Sequence, residues 1–319
     1  MHASYKKWAE PEKTRSFMEK KIHTIGAFVA LCTLLLSSIA QARDPDLHIA
    51  YPPGLFTNVD VKDAQAAVVV WSKALTTQWG LPFGLVPSSY NDVDALVAPL
   101  RQGTLDMVAL FPLDYLKLKD RLNIEPVVVP SFHGSTTYRT VLLTRRDRQI
   151  SDWQDLRDRQ IAITRASRGD IVNIWMEVAL LRRDLAPSSA FFRQVRSVDK
   201  TAQAVLLVFL EKADACLVPT DQFATMVELN PQLGRELIVV DTSPETCYGL
   251  ICQRPGFDQT LCADLERHLT QLHEEALGQQ ILTLFHYGQL RPYDPVYMEE
   301  TMQLLAEYKT LRTAQGDNR

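Results

Sequence analysis

Short apolar runs alternate with stretches of helical periodicity along almost the whole chain from Leu47 onward, and this alternation restricts the fold more than any other feature. A chain that repeats strand and helix buries both kinds of apolar surface by layering helices on sheets, which is α/β architecture. Leu47-His48-Ile49-Ala50-Tyr51 reads as a first strand, stopped by Pro52-Pro53-Gly54. Ala67, Val70, Trp71, Ala74, Leu75 and Trp79 recur at i, i+3, i+4 spacing, which predicts an amphipathic helix from Val61 to Trp79. A strand near Pro82 to Pro87 follows, then a helix with Val93, Leu96, Val97 and Leu100 on one face. Met107 to Phe111, Val127 to Pro130 and Tyr138 to Thr144 read as three further strands.

At Ser151 the pattern restarts. Ser151-Asp152-Trp153-Gln154 reads as a capping box, and Ile161 to Thr164 as a strand. A helix is expected from about Asp170 to Asp184, with Ile171, Ile174, Trp175, Val178 and Leu181 on one stripe. Strands are expected near Phe192 to Val195, Ala215 to Val218 and Leu237 to Val240. Ser243-Pro244 breaks the chain, Tyr248 to Cys252 forms another strand, and the tail is helical, including Asp294 to about Leu311. Two such clusters predict two Rossmann-like lobes joined by a hinge. Residues 43–148 with 244–319 form one and 149–243 the other, and a cleft lies between them where strand ends and helix N-termini converge.

Ahead of this stands a different kind of segment. A basic stretch ends at Lys20-Lys21, an uncharged run follows, and Ala40-Gln41-Ala42 precedes Arg43. That is the layout of a cleavable Sec-type export signal over residues 1–42, with Met18 an equally good start. Its apolar part, Ile25 to Ile39, is short for a membrane-spanning helix. Leu31 stands before Cys32 where a lipidation site needs a small residue. Without the signal the net charge moves from −4 to about −7. With no basic cluster, the exported part is not expected to bind nucleic acid or anionic membranes.

Cys216, Cys247, Cys252 and Cys262 remain after export. An oxidising compartment permits a disulfide among them, in any of three pairings, and buried free thiols are the alternative. No C-x-x-C pair is present, so no zinc site is expected. Dinucleotide, P-loop and nucleophile-elbow signatures are also absent, and His273-Glu274-Glu275-Ala276-Leu277 lacks the second histidine of a zinc-protease helix. The chain reads as a binder of a small solute rather than an enzyme, with no cofactor.

Two signals point to where a ligand would sit. Ser167-Arg168-Gly169-Asp170 falls between a strand and a helix, where free N–H groups, the Ser167 hydroxyl, and Arg165 or Arg168 make an anion site. The alternative is that Ser167 or Asp170 caps the helix, the Asp170 carboxylate competing with an incoming anion. Tyr51, Tyr90 and Tyr138 stand at strand exits, each offering an apolar face and a hydroxyl, or else ordinary packing.

The order of segments resembles the phosphate/phosphonate-binding proteins of ABC transporters, which have the type II periplasmic-binding-protein fold. Tyr90, Ala95-Leu96 and Gly103-Thr104-Leu105-Asp106-Met107-Val108-Ala109 resemble that family's first lobe, continued by Pro112 and Tyr115, with Phe111 where the family usually has glycine. Tyr138 with Val141-Leu142-Leu143 resembles the strand leaving that lobe, Asp152 to Ile163 the entry into the second, and Ala213-Asp214-Ala215 a later strand. The resemblance implies a periplasmic monomer that closes on its ligand and presents the closed form to a membrane permease; a signal to a sensor kinase, or an enzyme built on the same inter-lobe cleft, are the alternatives. It implies a cleft with Tyr90 and Tyr138 from one lobe, and the Ser167 loop and Thr220-Asp221 from the other. Ser167-Arg168-Gly169 stands in place of the family's Ser-Thr-Ser, and Val198 in place of its histidine. A different oxyanion held by Arg165 or Arg168, or an unrelated small solute, therefore fits as well as a phosphonate.

Overall fold

The alternating pattern forms two separate sheets. The computed structural model describes residues 46–55, 60–164 and 171–316; the predicted signal, Arg165, Ser167, Arg168 and Gly169 lie outside them. The first sheet begins with β1 (Leu47–Tyr51), β2 (Leu85–Ser89), β3 (Met107–Leu110) and β4 (Glu125–Ser131). The chain crosses over through β5 (Thr137–Tyr138) to the second sheet. This sheet comprises β6 (Thr140–Arg145), β7 (Gln160–Thr164), β8 (Gln194–Val198), β9 (Ala215–Pro219) and β10 (Leu237–Thr242). It returns through β11 (Thr246–Cys247) and completes the first sheet with β12 (Leu250–Gln253) and β13 (Gln289–Pro292). The orders are β13-β4-β12-β3-β1-β2 and β10-β6-β9-β7-β8. The two crossings pair with each other, Thr246 opposite Tyr138, as a short antiparallel ribbon at the hinge.

In the first sheet β1 runs parallel to β2 and β3, and in the second β7 runs parallel to β8 and β9. Parallel strands need helices over both faces, and the central strand β9 is buried along its whole length. Among the helices, Val61–Gln78 forms where expected but buries Ala64, Val68, Leu75 and Thr76, leaving Val70 of the expected face 65% exposed; it is capped by Asp60, whose carboxylate accepts from the Lys62 amide at 2.9 Å. The short helix Val97–Gln102 stops at Gly103, whose φ of +73° is a left-handed geometry that glycine adopts without strain. No helix among the described residues is long and apolar enough to cross a membrane.

Three expectations need correction. The chain leaves the first lobe at Thr137–Tyr138, before Arg148. Thr140 to Thr144 are buried, and the strand they form needs β9 on one side and β10 on the other. The C-terminal helix Glu299–Gly316 does not stay with the first lobe: Leu304, Tyr308 and Leu311 pack into the second core with Trp175, while Met298 at its foot belongs to the first. The capping box is shifted by one residue, Asp152 and Asp155 acting in place of Ser151 and Gln154. The Asp155 carboxylate accepts from the amides of Ser151 and Asp152 at 2.9 and 3.0 Å, and these bonds hold its pKa below the usual carboxylate range. Of the two possibilities left open for the cysteines, the four described ones are buried free thiols. Cys216 packs in the second lobe's core, Cys247 and Cys252 in one cluster of the first lobe, and Cys262 in another. Burial pushes the Cys247 thiol up to about 12.

Candidate ligand-binding cleft

Strand polarity decides which side chains reach the gap between the lobes. In the first lobe β1, β3 and β4 end toward it, and the segments that follow them carry Leu55, Phe111 and Phe132. β12 and β13 run antiparallel to their neighbours, so they begin at that same edge, and the residues preceding them, Tyr248 and Phe285-His286-Tyr287, arrive there too. In the second lobe β8 and β9 end at the gap, followed by Lys200-Thr201-Ala202 and by Asp221-Gln222. These residues, with Thr225 and Met226, enclose a cavity of about 310 Å³. Its position outside the carboxyl ends of parallel strands is where open α/β sheets bind ligands.

The two sides differ in chemistry. The first lobe offers the rings of Phe111, Phe132, Tyr248, Phe285 and Tyr287, an apolar wall with two hydroxyls and the exposed His286. The second offers polarity. Lys200 is the N-cap of the helix Thr201–Phe209 in extended conformation (φ −127°, ψ 140°), and its side chain makes no capping hydrogen bond. Its exposed ammonium group and the start of this helix both line the cleft, and both favour an anion. The Thr201 hydroxyl is hydrogen-bonded to the Gln222 side-chain oxygen, tying this turn to the neighbouring helix Thr220–Leu229. The Tyr248 hydroxyl donates to the Asp221 carboxylate at 3.0 Å, a link between the two sides of the cleft. No group of side chains among the described residues could hold a metal ion.

Three of the residues picked from the sequence meet here. Tyr138, Thr220 and Asp221 line a second recess of about 270 Å³ at the hinge, which shares Asp221 and Tyr248 with the cleft. The Tyr138 and Tyr248 rings lie 5.1 Å apart. The Thr220 hydroxyl donates to the Arg139 carbonyl at 2.9 Å, joining the helix start to the hinge. Two others sit deeper. Tyr90 packs in the first lobe's core, its hydroxyl donating to the Ala109 carbonyl at 2.8 Å, and burial raises its pKa far above the usual phenol value. Tyr51 is buried edge-on against Phe285, with centroids 6.4 Å apart. Val198 is in the second lobe's core, where it offers the cleft no donor. Arg165, Ser167, Arg168 and Gly169 follow β7, whose parallel pairing with β8 and β9 points its end toward the same edge, but they fall outside the described residues.

Lys200, Thr201, Tyr248 and the Phe285-His286-Tyr287 run were not singled out by sequence. The signal for the last was available: three aromatic rings in succession directly after an apolar run of helical spacing.

Comparison with known proteins places this architecture. The family model for the periplasmic substrate-binding protein of phosphonate ABC transporters matches residues 54–296. Among solved structures, XAC2383 of Xanthomonas citri bound to ATP is similar with a TM-score of 0.62 at 17% identity, covering 84% of this chain and 98% of that one. A binding protein component of an ABC phosphonate transporter from Pseudomonas aeruginosa gives 0.60 at 14% identity over 85% of this chain and 89% of that one. PhnD1 of Prochlorococcus marinus in complex with methylphosphonate gives 0.57 at 13%, over 82% and 97%. The two-lobed fold is shared with these binding proteins, and the chain belongs to the family of periplasmic substrate-binding proteins of phosphonate ABC transporters.

Proposed function

We propose that this chain captures a small oxyanion of the phosphonate type in the cleft between its lobes and presents it to the permease of an ABC transporter. The observation that carries the reading is the pairing of Lys200 and the uncapped first turn of Thr201–Phe209 on one side with the aromatic wall around Tyr248 on the other. The anion would sit on the second lobe, and the Ser167 loop with Arg165 or Arg168 would complete its shell. Thr220, Asp221 and Tyr138 would shape the hinge side, while Tyr51 and Tyr90 would support the wall from within. Contacts made to both lobes at once favour the closed form, so that binding is a shift of population. The protein would act as an exported monomer.

Isothermal titration with methylphosphonate, phosphate and sulfate tests this. At least one should bind, and Lys200→Ala should weaken it by about tenfold, the size of one charge-assisted contact at an exposed site. The melting temperature of the free protein should stay unchanged. If no oxyanion binds, or if Lys200→Ala leaves affinity unaltered, the assignment of the cleft is wrong.

A further inference from the structure

A second cavity, of about 180 Å³, lies inside the first lobe between the sheet and the helices Val61–Gln78 and Ala276–Leu284. Ile49, Trp71, Leu75, Met107 and Leu282 are among its walls, Ser72 contributes an aliphatic hydroxyl, and none of the described residues that line it carries a charge. Protein interiors pack with few voids larger than a water molecule, so a void of this size is not what close packing of a core leaves behind. An apolar cavity of roughly 150 Å³ stays dry and accepts benzene. This one is of that order.

Its position gives it meaning. Leu55, Phe285 and Tyr287 line both this cavity and the inter-lobe cleft, so the apolar space begins where the cleft's aromatic wall ends. An anion held at Lys200 would face that wall across the cleft, and a substituent extending from it toward the first lobe would meet hydrocarbon. We infer that the ligand is an oxyanion carrying an apolar group the size of a phenyl ring or a six-carbon chain, its head in the cleft and its tail in the first-lobe cavity. The inference rests on the reading of the cleft given above.

The experiment compares methylphosphonate, hexylphosphonate and phenylphosphonate by isothermal titration. Burying a methylene is worth roughly fourfold in affinity, so hexylphosphonate should bind at least about tenfold tighter than methylphosphonate even if its chain is only partly enclosed. Ser72→Phe, placing a ring in the cavity from a half-buried position, should remove that advantage and leave methylphosphonate affinity unchanged. Ile281→Trp does the same from the opposite helix, should the first variant fold poorly. Equal affinity for the methyl and hexyl compounds overturns the inference while leaving the oxyanion reading intact. An advantage for hexylphosphonate that persists in both cavity variants overturns the tail's location and so the inference. Binding of none of the three overturns both.

Discussion

Among the described residues of the first lobe, Asp106 and Arg254 form the most deeply buried ion pair, and removing the arginine should be costly for a reason that can be isolated. The Asp106 side chain is 1% exposed and that of Arg254 12%, with Nε donating to the carboxylate at 3.0 Å. The His48 amide donates to the other oxygen at 3.1 Å, so the pair ties the start of β3 to β1 and to the turn after β12. The guanidinium also donates to the carbonyls of Pro255 and Gly256 and lies over the Phe257 ring. Arg254→Met preserves much of the side chain's volume but leaves a carboxylate without its cation in a place water does not reach. Breaking a buried pair in this way costs about 3–5 kcal/mol. Arg254 is not fully enclosed, which argues for the lower end, about 3 kcal/mol. Urea unfolding followed by tryptophan fluorescence measures it. If the stranded charge is the main term, adding Asp106→Asn to Arg254→Met should restore about 1–2 kcal/mol, because a neutral amide is cheaper to bury than a carboxylate. A loss below about 1 kcal/mol for Arg254→Met, or a double variant no more stable than the single, would refute the argument.

Other outcomes follow from single contacts. Gly278→Ala should cost more than about 2 kcal/mol or abolish soluble expression, since a Cβ there would stand 1.8 Å from the Leu272 carbonyl oxygen, a backbone atom that cannot turn aside; a variant with native melting behaviour would show the helix able to slide. Glu307 is held below its ordinary carboxylate pKa by its hydrogen bond from Arg182, so its contribution is full above that ordinary value and is lost as pH falls through the folded one. The stability difference between the protein and Glu307→Gln should therefore be present at neutral pH and vanish once pH has fallen through the lowered folded value, being small throughout because Arg182 is half exposed. The four described thiols should resist a thiol reagent in the native state and react on unfolding, with reductant leaving the melting temperature unchanged; rapid labelling of the native protein would contradict their burial.

What the sequence disclosed was whatever depends on local periodicity. The spacing from Ala67 to Trp79 marks a helix, though not its buried face, and the apolar run Ala215 to Val218 marks a buried strand, because each pattern lies within one element. The lobe boundary was not legible in the same way. Val141-Leu142-Leu143 reads as an apolar run whichever sheet it joins, and what decides is pairing with β9, where Thr140 meets Pro219 across a long stretch of chain. β13, Gln-Leu-Arg-Pro, has hardly any apolar pattern and is a strand because β4 has an open edge beside it. The same distinction governs the cleft. Tyr138 and Thr220 could be picked because ring and hydroxyl residues at strand exits are visible in sequence. Tyr90 has the same signature, yet its hydroxyl turns inward to a backbone carbonyl. Tyr248 and Phe285-His286-Tyr287 were missed because they stand before strands. They reach the cleft since β12 and β13 are inserted antiparallel, which brings strand starts to the edge where parallel strands finish. Searching a chain of this fold for residues that follow strands thus finds the polar side of the site, on the second lobe. Phe111 and Phe132 on the first lobe also follow strands, but Tyr248 and Phe285-His286-Tyr287 need strand direction as well, which only the pairing supplies.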